Sequence, residues 1–303
     1  MSLDLHGIIP PLVTPFTDDE EIDAEAMRRE VRYMLDAGVH GLTVTGSTGE
    51  GHTLTLDESC RIAQVAIEET HGAVPVVGGI IQDSTRAVLR YGRALKEVGV
   101  DALQITPVHY LFSPGPEGTL AYYMEISRAV QLPLIIYNVV PWHPISPATV
   151  LRLAEVEGVV AVKQSGGDIH ALADLLQAVR AAGSRLRVLT AVDALLYPSF
   201  LLGAHGAVAA LLAVAPRLGV ELWEACQQRD LDRARALHER LLPLWRLLEA
   251  PDMSARVKAA IELQGRRVGP ARHPLLPITS AVREQMRTAL ARATATDAPS
   301  SST

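Results

Sequence analysis

Short runs of aliphatic residues alternate with longer amphipathic segments from one end of this chain to the other. The runs Ile8–Val13, Gly41–Thr45, Val74–Gly78, Ala102–Thr106, Leu134–Asn138, Val159–Lys163, Leu186–Thr190 and Gly206–Ala209 read as strands. They are apolar at nearly every position, the pattern of strands buried on both faces in a parallel sheet. Between them, Ala24–Ala37, Leu56–Thr70, Thr85–Val98, Thr119–Val130 and Ile169–Ala182 repeat apolar residues at helical spacing. Asp23 and Ser84 stand where N-caps belong, and Gly38 and Gly99 stand just past the last turn. Eight strand–helix units predict a (β/α)8 TIM barrel of class α/β rather than an open sheet. No GxGxxG follows the first strand, so a dinucleotide fold lacks its main support.

After the eighth strand, Pro216–Gln228, Leu231–Leu248 and Ser254–Gln264 read as three further helices. Residues 1–215 are therefore expected to form the barrel. Residues 216–290 are expected to form a C-terminal helical appendage packed on it, and 291–303 a disordered tail rich in Ala, Ser and Thr. The stripe Leu237, Leu241, Leu244, Leu248 could face the barrel or a partner subunit.

Composition narrows the function classes. The 303 residues carry a net charge of −6, and the pI is near 5.9, which argues against a nucleic-acid partner. No run is long and clean enough to span a bilayer, and no signal-peptide pattern opens the chain. Cys60 and Cys226 have no metal-ligand or CxxC spacing and read as buried or idle thiols, consistent with a cytoplasmic protein. No His/Asp/Glu set sits on strand ends to hold a divalent metal, and no cofactor is called for.

The candidate chemistry lies at strand C-termini, where barrel active sites sit. Lys163 ends the run Val159–Val162 and precedes Gln164, Ser165, Gly166 and Gly167. Desolvation there disfavours an ammonium, and a neutral amine can attack a ketone to form a Schiff base. The alternative is a lysine that snorkels to solvent. Tyr137 ends strand five and could shuttle a proton, or be a core aromatic. Asn138 would orient backbone. The turn Gly46-Ser47-Thr48-Gly49-Glu50 offers amides and two hydroxyls that could hold a carboxylate, or satisfy only themselves as an ordinary loop.

These motifs, with Val162-Lys163-Gln164-Ser165-Gly166-Gly167-Asp168 and Gly7–Phe16, resemble the dihydrodipicolinate synthase / N-acetylneuraminate lyase family along nearly the whole chain. The resemblance implies a barrel with a helical appendage, assembled as a homo-oligomer (tetramer or dimer), and class I aldolase-type chemistry on pyruvate or another 2-oxo acid. Lys163 then matches the Schiff-base lysine, Tyr137 the acid–base tyrosine, and Ser47 and Thr48 the hydroxyl pair. Thr48 and neighbouring amides such as that of Gly49 would hold the carboxylate, and Ser47 would relay protons with Tyr137.

The pattern breaks in two places. The synthases' Tyr-Asn-Val-Pro-x-Arg becomes Tyr137-Asn138-Val139-Val140-Pro141-Trp142-His143-Pro144, without the arginine that binds the second substrate's carboxylate. Their Thr-Pro-Tyr-Tyr becomes Thr106-Pro107-Val108-His109-Tyr110, which leaves His109 or Tyr110 to serve the relay, or His109 as a plain loop residue. Of the lyases' sugar-binding residues Asp193 remains, followed by Ala194, with Ala210 near strand eight. With Val208, Trp142, Leu211 and Leu212 at the rim, an apolar outer pocket is expected, suited to a partner with few hydroxyls. The leading expectation is a Schiff-base lyase on a 2-oxo acid. The alternatives are an authentic 4-hydroxy-tetrahydrodipicolinate synthase and a non-catalytic barrel that binds keto acids.

Overall fold

The computed structural model describes residue 3, residues 5–166 and residues 168–294. Eight parallel strands run through it: β1 (Gly7–Ile8), β2 (Leu42–Val44), β3 (Val76–Ile80), β4 (Ala102–Ile105), β5 (Leu134–Asn138), β6 (Val159–Gln164), β7 (Arg187–Thr190) and β8 (Gly206–Ala207). From β2 to β8 each strand pairs with the next, and β8 pairs with β1. The seam between β1 and β2 is closed by a parallel bridge from Pro11 to Thr43. His40 N–H donates to Ile8 O at 2.8 Å and Thr43 N–H to Pro10 O at 3.0 Å across the same seam. The expected (β/α)8 barrel is the fold. Its first strand is shorter than the apolar run predicts, because Pro10 and Pro11 have no N–H to donate to a ladder.

Alternation along the strands sorts the core into two shells. Ile9, Val77, Ala102, Ile135, Ala161, Leu189 and Val208 point inward and fill the barrel. Their neighbours Leu42, Val44, Leu103, Ile136, Val162 and Val188 point outward, into the larger shell shared with the helices. Those helices are α1 (Ala24–Asp36), α2 (Leu56–Thr70), α3 (Thr85–Val98), α4 (Gly115–Val130), α5 (Pro147–Ala154), α6 (Ile169–Ala181), α7 (Leu196–Leu201) and α8 (Leu211–Val214). Asp23 caps α1 by accepting from Ala26 N–H, and Ser84 caps α3 by accepting from Ala87 N–H. Gly99 ends α3 at φ 103°, a left-handed position that costs glycine nothing. Helices α7 and α8, with six and four residues, are too short to show a period and escape a sequence reading.

The appendage holds four helices where three were expected: α9 (Pro216–Gln227), α10 (Leu231–Leu248), α11 (Met253–Glu262) and α12 (Ser280–Thr294). Residues 291–294, expected in the disordered tail, instead form the last turn of α12. Met286, Ala289, Leu290 and Ala293 are buried on its inner side, and Arg240 of α10 donates twice to Ala293 O, at 3.1 and 2.8 Å. An Ala- and Thr-rich sequence masked a packed helix. The rest of the expected tail, 295–303, lies outside the described residues. The leucine stripe of α10 is buried within the chain, against its neighbouring helices. Among the described residues no helix is long and apolar enough to cross a membrane.

A buried ion pair ties the appendage to the barrel. Lys258 of α11 and Glu50, which follows β2, meet at 2.7 Å with side chains only 2% and 1% exposed. Lys258 also donates to Pro270 O at 2.7 Å and lies 4.1 Å from the centroid of the Phe16 ring. The second Glu50 oxygen accepts from Arg272 N–H at 2.9 Å. Burial pushes the Lys258 amine down and the Glu50 charge pulls it back up. Removing one member of such a pair leaves an uncompensated buried charge. Lys258→Met is therefore expected to lower unfolding stability in urea by about 3 kcal/mol or more. The double variant with Glu50→Gln should regain most of that loss. Equal midpoints for Lys258→Met and the wild type would contradict this reading.

Candidate active site

The site opens at the C-terminal ends of the strands. Tyr137 and Lys163 are register partners in the β5–β6 ladder, so both project into the barrel side by side. Lys163 Nζ lies 3.9 Å from the centroid of the Tyr137 ring. Lys163 is 4% exposed, and it makes no hydrogen bond or ion pair with another described residue. Its amine faces a cavity of about 580 Å³. On the next residue pair, Asn138 Nδ2 donates to Gln164 Oε1 at 2.9 Å and to Ile145 O at 3.0 Å. Asn138 Oδ1 accepts from Ile145 N–H at 2.9 Å. Asn138 thus fastens the loop after β5, the backbone-orienting part expected of it.

The Gly46–Glu50 turn is held by its own backbone and by Thr14. Gly51 N–H donates to Gly46 O at 3.0 Å and Glu50 N–H to Ser47 O at 3.0 Å, while Thr14 Oγ1 donates to Gly49 O at 2.6 Å. The amides of Thr48 and Gly49 carry no hydrogen bond from another described residue. Glycine is required here by close approach: a Cβ on Gly49 would stand 2.7 Å from Leu12 O, and one on Gly51 1.9 Å from Thr45 O. Glu50 itself sits at φ 55°, a left-handed position maintained by its pairing with Lys258 and Arg272. Ser47 Oγ lies 3.4 Å from the Tyr137 hydroxyl, so hydroxyl, phenol and amine form one short series.

Of the residues singled out in the sequence, Lys163, Tyr137, Ser47, Thr48, Val208 and Asp193 line this cavity. Gly49, in the same turn, is not among the residues that line it. Asp193 is buried, and its Oδ1 accepts from Leu211 N–H at 2.6 Å. Burial pushes its carboxyl up to about 7, against the pull of the Leu211 N–H and of Lys163. Gly166 lines the cavity too, whereas Gly167 lies outside the described residues.

His109 and Trp142 are not brought to the cavity. The His109 ring lies 3.0 Å from Asp83, and the backbone N–H groups of His109 and Tyr110 both donate to Asp83 Oδ1. Those bonds turn the loop after β4 toward the loop after β3. Trp142 is 62% exposed and donates its indole N–H to His109 O at 3.1 Å. The two residues hold each other outside the mouth. Leu211 and Leu212 are packed in the core, so the apolar rim is instead Val139, Pro141, Val192 and Leu195.

The cavity also contains residues that the sequence did not single out. Trp245 of α10, Glu249 just past its last residue and Met253 of α11 line its outer side. Only the apolar face of α10 hinted at such contacts. Among the described residues no group of His, Cys, Asp or Glu is placed to hold a metal. None of the described lining residues is an arginine.

The chain's likeness to known proteins agrees with this geometry. The model of the dihydrodipicolinate synthetase family matches residues 4–293. A 4-hydroxy-tetrahydrodipicolinate synthase of Methanopyrus kandleri is 37% identical over 95% of this chain and 96% of its own length. An uncharacterized DapA-like lyase of Halobacterium salinarum is 35% identical over 90% of this chain and 89% of its own. Among solved structures, the prophage protein YagE of Escherichia coli, in complex with pyruvate, superimposes with a TM-score of 0.91 at 27% identity. That likeness covers 95% of this chain and 98% of YagE. The chloride-inhibited synthase of Acinetobacter baumannii, also complexed with pyruvate, gives a TM-score of 0.89 at 28% identity. It covers 96% of this chain and 99% of that one. The chain belongs to the dihydrodipicolinate synthetase family of lyases.

Proposed function

We propose that this protein is a lyase that acts on pyruvate or a similar 2-oxo acid through an imine on Lys163. The observation that carries the reading is the buried amine, 3.9 Å from the centroid of the Tyr137 ring at the cavity and without a hydrogen bond or ion pair to another described residue. The carboxylate of the 2-oxo acid takes the free amides and hydroxyl of Thr48, with the Gly49 amide beside it. The Lys163 nitrogen forms a bond to the keto carbon, and the keto oxygen leaves as water after taking protons through Tyr137. Ser47, 3.4 Å from the Tyr137 hydroxyl, extends that proton path toward the cavity. The protonated imine then serves as the electron sink, so a carbon–carbon bond at the adjacent carbon can form or break, or a β-hydroxyl can leave. The reading needs neither metal nor cofactor.

A second reading, 4-hydroxy-tetrahydrodipicolinate synthase, is favoured by relatives that carry that name. The cavity speaks for a different second substrate, since guanidinium recognition of a carboxylate has no counterpart among its lining residues. The apolar exposed residues Tyr110, Leu111, Phe112 and Trp142 support self-association, in keeping with a tetramer or dimer. A cytoplasmic location completes the reading.

Borohydride reduction in the presence of pyruvate should add one reduced adduct to Lys163, seen by peptide mass mapping, and none to Lys163→Ala. A folded wild-type protein that gains no adduct with any 2-oxo acid would favour a binding-only barrel. Aspartate semialdehyde should yield no cyclised product at the rates it gives with a true synthase.

Tyr137→Phe should lower kcat about a hundredfold or more while leaving the KM for the 2-oxo acid within a few-fold. A large change in KM alone would assign Tyr137 to binding instead.

Asp193 predicts a pH effect on stability. Its carboxyl is raised in the fold, so between the ordinary carboxylate range and about 7 the folded chain keeps a proton that the unfolded chain releases. That contribution is complete below the unfolded pKa and disappears as pH rises through about 7. The melting temperature of the wild type should fall more steeply than that of Asp193→Asn between about pH 4 and 7. Parallel curves by scanning fluorimetry would contradict the assignment.

A further inference from the structure

The outer half of the cavity is formed by groups that the imine chemistry does not use. Glu249 caps the C-terminal end of α10, and its N–H donates to Trp245 O at 2.9 Å. Both line the cavity across from the strand ends, with Met253 beside them. Trp245 is 8% exposed, and its buried indole N–H has no acceptor among the described residues. An unpaired buried donor is costly, and a ligand group that supplies the acceptor removes that cost. Glu249 is solvent-exposed at the mouth. It lies near enough to Asp193 to raise that carboxyl, while Lys163 lowers it.

Charge then sorts possible second reactants. Among the described lining residues Lys163 is the sole cation, against the carboxyl groups of Asp193 and Glu249. Once the Lys163 nitrogen is engaged in the protonated imine, its charge stands beside the carboxylate of the bound 2-oxo acid, and no second cation among the described lining residues remains for another carboxylate. A far-end carboxylate would instead meet the charge of Glu249, a repulsive element of the kind that sets specificity. The apolar walls formed by Val139, Leu195 and Met253 favour a short chain without further charge.

We propose that Glu249 and Trp245 of the appendage select the second reactant. They favour an aldehyde whose far end is an uncharged hydroxyl, donating to Glu249 and accepting from Trp245 Nε1, and reject one ending in a carboxylate. This inference rests on the Lys163 imine proposed above. In the condensing direction the enamine carbon derived from the 2-oxo acid bonds to the aldehyde carbon, and the aldehyde oxygen takes a proton. Water then cleaves the imine and restores the Lys163 amine.

The test compares 3-hydroxypropanal, butanal and succinic semialdehyde as partners for pyruvate, in the wild type, Glu249→Arg and Trp245→Phe. The wild type should rank hydroxyl above alkyl above carboxylate in kcat/KM. Glu249→Arg should raise the carboxylate-to-hydroxyl ratio by about tenfold or more. Trp245→Phe should raise the KM for 3-hydroxypropanal by a several-fold larger factor than that for butanal, an outcome that simple loss of packing would not give. Borohydride trapping of pyruvate alone, run on all three proteins, separates the two layers. Normal adducts with no discrimination by the wild type, an unchanged ratio in Glu249→Arg, or no reaction of 3-hydroxypropanal would overturn this selection while leaving the imine in place. Absence of any adduct on the wild type would overturn both.

Discussion

The site depends first on strand register. Tyr137 and Lys163 face each other across a parallel ladder, and both point inward because Ile135 and Ala161, two residues earlier on the same strands, fill the barrel. Side chains alternate strictly along a strand, so a slip of one residue would send the amine or the phenol into the helix layer. The apolar shells on the two sides prevent that slip. The inner positions are small or aliphatic and the outer ones lock into helices, so moving either strand would expose one set and crowd the other. Core packing in this protein therefore also places the amine and the phenol.

A second constraint acts from outside the ring. The turn that presents Ser47 and Thr48 ends in Glu50, whose left-handed backbone and buried charge would be unfavourable alone. Lys258, Phe16, Pro270 and Arg272 converge on that carboxylate and its partner. The appendage thus holds the turn through Glu50, and it closes the cavity through Trp245 and Glu249. A helical extension that might pass for packing material carries both the support of the turn and the outer wall of the site.

Much of this was legible in the sequence because it follows short-range rules. Doubly buried strands announce themselves by unbroken aliphatic runs, and a lysine or tyrosine at the end of such a run stands out. Glycines flanking Ser47 and Thr48 marked a turn with free amides. What escaped depends on contacts between distant segments. The loop bearing His109 is aimed by Asp83, which lies 26 residues earlier, and Trp142 follows His109 rather than the cavity. Glu249 reads as an ordinary polar residue just past an amphipathic helix until it is seen to line the cavity. The last helix was hidden because alanine and threonine resemble a tail by composition, while Met286 and Leu290 gave it a buried side.

The most direct test of the account is a crystal structure of the protein soaked with pyruvate at neutral pH. The account predicts continuous density from Lys163 Nζ to the keto carbon, with the carboxylate seated on Thr48 and the Gly49 amide and the Tyr137 hydroxyl beside the new bond. Pyruvate bound without a covalent link, or a carboxylate held away from the Gly46–Glu50 turn, would contradict it.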